Sequence, residues 1–268
     1  MKNALTGTLT DIFVFLVGLM SLLTPFVLPQ ARNSEVQSSV FPIMVSLIII
    51  LCLGIIFIET QSSILDNKMI AFLGVLIAIN AGLRFLENAI PGPAGFSPTF
   101  FLIILVGYIF GSRIGFLMGA MTMFISGLIT GGIGPWLPGQ MITAGWVGQT
   151  ASILSFTTEK MNLKGRFGEI LLLTLFSAVW GMLYGLIMNL WFWPFLGAGA
   201  GQSWTQSANF MENLGRYGAY YLATSVIWDV TRSIGNILIM LTMARPFLKV
   251  FQRFYQRFSF HFEGAESP

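Results

Sequence analysis

Long apolar stretches alternate with short polar connections along almost the whole chain. Most stretches approach the roughly 20 residues that a helix needs to cross a bilayer. Their apolar residues run continuously, whereas a β-barrel strand would alternate. The pattern predicts an all-α integral membrane protein with about eight transmembrane helices. The eight segments are approximately Asp11–Leu28, Val40–Ile58, Met69–Ala89, Thr99–Phe110, Ile114–Ile129, Gln140–Phe156, Glu169–Trp193 and Tyr217–Ala244.

The composition agrees with a membrane protein and narrows its chemistry. Hydrophobic residues make up 55% of the chain and charged residues only 9%, whereas about a quarter of a typical soluble domain is charged. With Cys52 and His261 as the single residues of their types, we expect no disulfide within the chain, no metal site and no cofactor. The first apolar segment lacks an Ala-x-Ala-like exit, so no cleaved signal peptide is expected.

Basic residues predict the orientation in the membrane. If eight helices alternate, ten basic residues share one side and only Arg32 and Arg216 lie on the other. Lys and Arg accumulate on the cytoplasmic side, so we expect a multi-pass plasma-membrane protein with both termini in the cytoplasm. The shared side holds Lys2, Lys68, Arg113, Lys160, Lys164, Arg166, Arg245, Lys249, Arg253 and Arg257. The connections expected outside are Gln30–Ser39, Ile90–Pro98, Thr130–Gly139 and Pro194–Arg216.

Opposite charges occur in two pairs at membrane depth. Arg84 and Glu87 are three residues apart, as are Asp229 and Arg232, so each pair lies on one helical face and can neutralise itself. An intramembrane charge costs roughly 2.5–3.5 kcal/mol on insertion scales. The longer stripe in the eighth segment therefore faces a water-filled cavity or a polar partner rather than lipid. That stripe contains Ser225, Asp229, Arg232, Ser233 and Asn236.

Small residues recur at four-residue spacing in three stripes. Such stripes allow helix backbones to approach closely where lipid supplies no hydrophobic drive. We expect at least two of them to serve internal packing, while one either does the same or faces another subunit. The three stripes are Gly74, Ala78 and Gly82; Gly111, Gly115 and Gly119; and Ser177, Gly181 and Gly185.

The connection from Thr130 to Gln140 combines glycines with prolines, which predicts a shaped and fairly rigid loop. Its Trp136 is either an interfacial anchor or a lid over a ligand. Indoles and a few polar groups at similar depth are typical of a small-molecule pocket, here opening outward. The candidate substrate-binding residues are Arg84, Glu87, Phe96, Trp136, Gln140, Trp146, Asn189, Asp229, Arg232 and Asn236.

Several catalytic signatures are missing from the chain. No lysine follows a glycine, so there is no P-loop, and neither H-E-x-x-H nor G-x-S-x-G occurs. The single histidine lies in the tail, away from any candidate nucleophile. We therefore expect a transport subunit rather than an enzyme, with no catalytic residues. Uphill transport would need an ion gradient or a partner ATPase.

From Met69 onward, about 170 residues resemble the substrate-binding S component of energy-coupling factor (ECF) transporters. The order of the motifs carries the resemblance. It predicts a six-helix core at 63–247, an added N-terminal helix pair at 1–62 and a basic-aromatic tail at 248–268. The motifs are Arg84-Phe85 leading to the Pro91–Pro98 stretch, Gly107–Phe116, Gly131–Gln140, Gly145–Gly148, and Asp229 with Arg232, Gly235 and Asn236.

The resemblance implies a vitamin or related micronutrient bound in an outward cavity. It also implies association with a membrane coupling subunit and two cytoplasmic ATPases. The family's coupling face is an Ala-x-x-x-Ala stripe on the first core helix, and Gly74, Ala78 and Gly82 take that place here. The GGIGPWLPGQM sequence is most like cobalamin-type S components, although an aromatic pocket would also suit a flavin or a pterin.

Two other functional classes remain open from the residues alone. One is a stand-alone secondary transporter or channel that uses Asp229 and Arg232 as a proton relay, but no inverted repeat supports it. The other is a membrane enzyme acting on a lipid or isoprenoid, but clustered acids are few. For the tail from Arg245 to His261, the favoured interpretation is a helix at the cytoplasmic lipid surface. No nucleic-acid partner is expected.

Overall fold

The protein is represented by a computed structural model that describes residues 2–27, 43–44, 46–55, 67–89, 96–195 and 201–263. All regular structure in these residues is helical. The predicted connection at 30–39, most of that at 90–98 and the final residues 264–268 lie outside them. The helices are α1 Lys2–Val27, α2 Ser46–Ile55, α3 Asn67–Ala89, α4 Thr99–Phe110, α5 Ser112–Thr130, α6 Leu137–Lys160, α7 Phe167–Phe192, α8 Phe210–Thr224 and α9 Val226–Glu263.

Four of these helices are long and apolar enough to cross a membrane. They contain the stretches Lys68–Glu87, Ser112–Thr130, Phe167–Phe195 and Val226–Arg257. Shorter apolar stretches lie in α1, α2 and α4. The prediction of an all-α membrane protein is therefore confirmed.

The eighth predicted segment is two helices rather than one. α8 ends at Thr224 and α9 begins at Val226, with Ser225 between them. Asn209 caps α8 by accepting a hydrogen bond from the backbone N–H of Glu212 at 2.8 Å. The 15 residues of α8 are fewer than the roughly 20 that span a bilayer. The last crossing is therefore made by α9 alone.

The centre of the bundle is α6, which packs against α1, α4, α5 and α7. Gly107 of α4, Gly115 of α5 and Gly148 of α6 meet there backbone to backbone, and a β-carbon on any of them would overlap a neighbouring main chain. Close contact of this kind holds helices together where all surroundings are apolar. The small residues of α4, α5 and α6 therefore fix the core that supports the site.

We expect Gly148→Val to lower the free energy of unfolding by about 3 kcal/mol or more, because the overlapping atoms are backbone and cannot rotate away. Thermal melting and size-exclusion profiles in detergent would measure this. Gly215→Val is the matched control, since none of the described residues comes within 4 Å of a β-carbon at Gly215. Equal melting temperatures for the two variants would contradict the packing described here.

The three small-residue stripes have different surroundings. A β-carbon on Gly119 would overlap the main chain at Ala144, and Gly181 and Gly185 lie against α9. Two stripes therefore serve internal packing, as expected. By contrast, nothing lies within 4 Å of a β-carbon at Gly74 or Gly82. The α3 face that carries them is open in the described structure.

A buried carboxylate joins α4, α6 and α7 at the end of the bundle that contains the Arg113 turn, which we call the Arg113 end. Tyr108 donates a hydrogen bond to Glu169 at 2.6 Å, and the backbone N–H of Gly165 donates to the same carboxylate at 2.7 Å. The Tyr108 hydroxyl also pairs with Thr158 at 2.9 Å. The opposite end, where α5 ends and α6 begins, is the Trp136 end.

The N-terminal helix α1 packs against α6. A β-carbon on Gly18 would lie 2.6 Å from the ring of Trp146, so the indole lies directly under α1. Gln149 donates to the backbone carbonyl of Asp11 at 3.0 Å, and Ser112 donates to the Asp11 carboxylate at 2.9 Å. These contacts attach α1 to the bundle along α6. The division at residues 62 and 247 stays a prediction, and α9 continues through the second boundary as one helix.

Candidate functional site

Polar side chains from four helices meet inside the bundle, toward the Trp136 end. Both predicted charged pairs contribute, although they are about 145 positions apart in the chain. Five of the ten predicted site residues lie here, together with one tyrosine that was not predicted. We call the group the central polar cluster, and it consists of Arg84, Glu87, Gln140, Tyr184, Asp229 and Arg232.

The α3 pair makes its hydrogen bonds to other helices. Arg84 donates to the side-chain oxygen of Gln140 on α6 at 3.3 Å. Glu87 accepts from Ser97 at 2.9 Å and from Thr99 at 3.3 Å. Its charge also interacts with those of Arg84 and Arg232. The two members of the pair thus connect α3 to α6 and to the start of α4.

The α9 pair is a buried ion pair. Asp229 and Arg232 are in direct contact, with side-chain exposures of 2% and 17%. Tyr221 of α8 donates to Asp229 at 2.8 Å, and Arg232 donates to the backbone carbonyl of Gly181 at 3.3 Å. A β-carbon on Gly185 would overlap the Asp229 carboxylate. Glycine at that position of α7 therefore makes room for the acid.

Tyr184 lies among the charged members of the cluster, and no sequence pattern predicted it as a site residue. Its ring lies 5.7 Å from the Arg232 guanidinium carbon and 4.8 Å from the ring of Phe100. The charges of Arg84, Glu87 and Arg232 all act on it. Its hydroxyl is buried and makes no hydrogen bond of ordinary geometry among the described residues, and the nearest donor acting on it is the Arg84 side chain. A buried hydroxyl without a well-formed hydrogen bond, between charged groups, is suited to bind a polar ligand atom.

The polar stripe of α9 faces the small-residue stripe of α7. Ser233 donates to the carbonyl of Ala178 at 2.8 Å, and Asn236 donates to that of Ser177 at 3.0 Å. Small side chains on α7 leave these carbonyls accessible to α9. The stripe therefore has a polar partner, one of the two predicted alternatives. Asn236 belongs to this helix contact and lies outside the central polar cluster.

Four other predicted site residues also lie outside the cluster. Trp136 donates to the carbonyl of Gly132 at 3.1 Å, with its ring 6.4 Å from that of Phe192. Asn189 donates to the carbonyl of Gly185 on its own helix at 2.8 Å. Phe96 contacts α9 at Gly235. Trp146 lies on the far side of α6, beneath α1, and makes no contact with the cluster that the structure records.

The loop before α6 has the shaped backbone that its glycines and prolines predict. Gly131 adopts a left-handed conformation with φ of 65°, which glycine accommodates without steric cost. The N–H of Leu137 bonds to the carbonyl of Gly134 at 2.9 Å, and Gly134 lies directly against the Trp136 ring. The loop therefore holds the indole at the Trp136 end.

Comparison with known proteins gives the family. A family model described as the ECF transporter substrate-specific component matches residues 68–244, which is more than half of the chain and includes α3 to α8 and the first half of α9. No curated protein and no solved structure is significantly similar to the chain.

The chain belongs to the family of ECF transporter substrate-specific components. It is a multi-pass membrane protein, and it is the substrate-binding membrane subunit of an ECF importer. Its partners are a small-molecule substrate and an ECF module in the membrane. The matched residues contain the whole central polar cluster, whereas α1 and α2 lie before the match.

Proposed function

We propose that the central polar cluster captures a vitamin or related micronutrient, with cobalamin as the first candidate. The observation that carries the proposal is the Tyr184 hydroxyl, which is buried among three charged side chains without a hydrogen bond of ordinary geometry among the described residues. A bound solute would supply a well-formed hydrogen bond. The similarity of the Gly131–Gln140 loop to cobalamin-type S components supports this choice of solute.

The charges of the cluster also favour a polar solute without large net charge. Two guanidinium groups stand against two carboxylates, so the ionised cluster is neutral, and Gln140 adds an amide. A corrinoid presents amide side chains around a large apolar ring, and these match such donors and acceptors. Trp136 and Phe192 supply an aromatic border at the Trp136 end.

The Trp136 end is proposed to face the exterior, with both termini in the cytoplasm. The basic residues of the Arg113 end, including Lys160 and Lys164, favour this orientation. ATP hydrolysis by two partner ATPases supplies the energy, and a membrane coupling subunit transmits it. The open stripe formed by Gly74, Ala78 and Gly82 is the proposed contact with that coupling subunit.

Two measurements on the purified full chain test the capture function. Mass spectrometry of co-purifying small molecules is expected to detect a corrinoid, and added cobalamin is expected to quench tryptophan fluorescence saturably. A flavin or pterin in its place would keep the capture function and change the substrate. The absence of any bound micronutrient, together with no association with an ECF module on co-expression, would contradict the proposal.

Tyr184→Phe is expected to weaken cobalamin binding about tenfold, which corresponds to about 1.4 kcal/mol. The change removes only the hydroxyl that is proposed to bond the solute. Cobalamin titration of the purified variants would measure it. Tyr220→Phe is the matched control, because Tyr220 is also buried but lies outside the cluster. Equal affinities for both variants would remove Tyr184 from the site.

A further inference from the structure

The last helix continues well beyond the central polar cluster. α9 has 38 residues, which at 1.5 Å per residue is about 57 Å. The hydrocarbon core of a bilayer is only about 30 Å thick. The helix therefore has a C-terminal part that the membrane core cannot contain if the helix runs along the membrane normal. This part begins near Pro246 and carries most of the chain's C-terminal basic residues.

One face of this C-terminal part packs on the bundle at the Arg113 end. Phe254 stacks on Phe72 of α3 with ring centroids 4.7 Å apart. Phe251 lies 6.2 Å from Phe110, the last residue of α4. Aromatic pairs at such distances stabilise the contact between helices. The helix is therefore held against the end of the bundle instead of extending freely from it.

The other face carries a basic stripe, formed by Arg245, Lys249, Arg253 and Arg257. Its members follow one another at intervals of four residues, so they align along one side of the helix. All four are exposed. Among the described residues none of them forms an ion pair. Four aligned cations in the C-terminal part of the stretch Val226–Arg257 form a strongly positive surface.

A groove lies at the end of this stripe. Its volume is about 390 Å³. It combines two guanidinium groups with an aliphatic and an aromatic side chain, so it offers both charge and apolar surface to one ligand. The described residues that line it are Val250, Arg253, Phe254, Gln256 and Arg257.

We propose that this groove binds the headgroup of an anionic phospholipid from the adjacent leaflet. Arg253 and Arg257 bind the phosphate, because guanidinium groups match phosphate oxygens in geometry as well as charge. Val250 and Phe254 contact the first part of an acyl chain. The charge of the stripe complements an anionic leaflet, and the stripe lies at the C-terminal end of the stretch Val226–Arg257, which is long and apolar enough to cross a membrane. The inference does not depend on which solute the protein captures.

Native mass spectrometry can test the site on the full chain released from nanodiscs of phosphatidylcholine and phosphatidylglycerol. The wild type is expected to retain phosphatidylglycerol over phosphatidylcholine by about tenfold. Arg253→Gln with Arg257→Gln is expected to abolish that preference. The matched control is Arg245→Gln with Lys249→Gln, which removes the same charge from the same stripe outside the groove and should keep most of the preference.

Three outcomes would overturn the proposal. The first is a preference that survives in the groove variant. The second is an equal loss in the control variant, which would assign the effect to total charge. The third is displacement of the lipid by excess inorganic phosphate, which would show that the groove binds free anions without using an acyl chain. The four substituted side chains are exposed, so a melting temperature close to that of the wild type is expected for both variants.

Discussion

Replacing Asp229 with alanine is expected to lower the free energy of unfolding by about 3–5 kcal/mol and to abolish substrate binding. The change would leave the buried Arg232 guanidinium without its carboxylate, and an uncompensated buried charge is the costly outcome. It would also remove the acceptor that Tyr221 uses at 2.8 Å. Thermal melting in detergent and cobalamin titration would measure the two effects.

A double variant distinguishes the loss of the pair from the loss of packing. Asp229→Ala combined with Arg232→Met removes both charges, so it is expected to melt at a higher temperature than Asp229→Ala alone. Binding should remain absent, because both groups belong to the proposed site. If the double variant melts at a lower temperature than Asp229→Ala alone, the unpaired Arg232 does not destabilise the single variant, and the ion-pair interpretation fails.

The double variant Gly74→Leu, Gly82→Leu is expected to lose its association with the coupling subunit while the isolated protein stays folded. No described atom lies within 4 Å of a β-carbon at either position, and the neighbouring Val75 and Ile79 are 58% and 51% exposed. A helix of the coupling subunit that packs closely here would meet two added side chains. We expect a loss of at least 2 kcal/mol in association, or about 30-fold in affinity.

Co-purification with a co-expressed coupling subunit and its ATPases would measure this loss, with uptake into cells as the second readout. Gly218→Leu provides the control, because that glycine is equally unobstructed but lies on α8. Both variants should melt near the wild-type temperature and retain cobalamin binding. Normal complex formation by the Gly74 and Gly82 variant would place the coupling face elsewhere.

Most helices could be predicted from the sequence because each corresponds to a continuous apolar run in its own segment. The segments Met69–Ala89 and Thr99–Phe110 agree closely with α3 and α4, since long apolar runs end where polar or proline residues begin. The boundary between α8 and α9 was missed for the opposite reason. Apolar residues occur on both sides of Ser225, so no local signal marks the end of α8. The break between the two helices is accompanied by tertiary contacts, such as the hydrogen bond that Tyr217 donates to the carbonyl of Leu186 at 2.6 Å.

The central polar cluster was partly predictable. The cost of an intramembrane charge identified both pairs correctly as features that need partners, but only three-dimensional packing shows that they meet. Tyr184 was missed because a tyrosine in an apolar helix is unremarkable until its neighbours are known. Trp146 was included although six positions separate it from Gln140, a spacing that places the two on different faces of α6.

The attachment of α1 has a mechanical consequence for any movement of this subunit within the bilayer. Asp11 is bonded to Gln149 and Ser112, so the added helix must travel with the core in any tilt or rotation. The moving unit then includes α1 as well as the helices that match the family model, so it displaces lipid over a wider cross-section. Because α1 packs on α6 and α7 while the unobstructed glycines belong to α3, this extra width does not obstruct the side at which the coupling subunit is expected to dock.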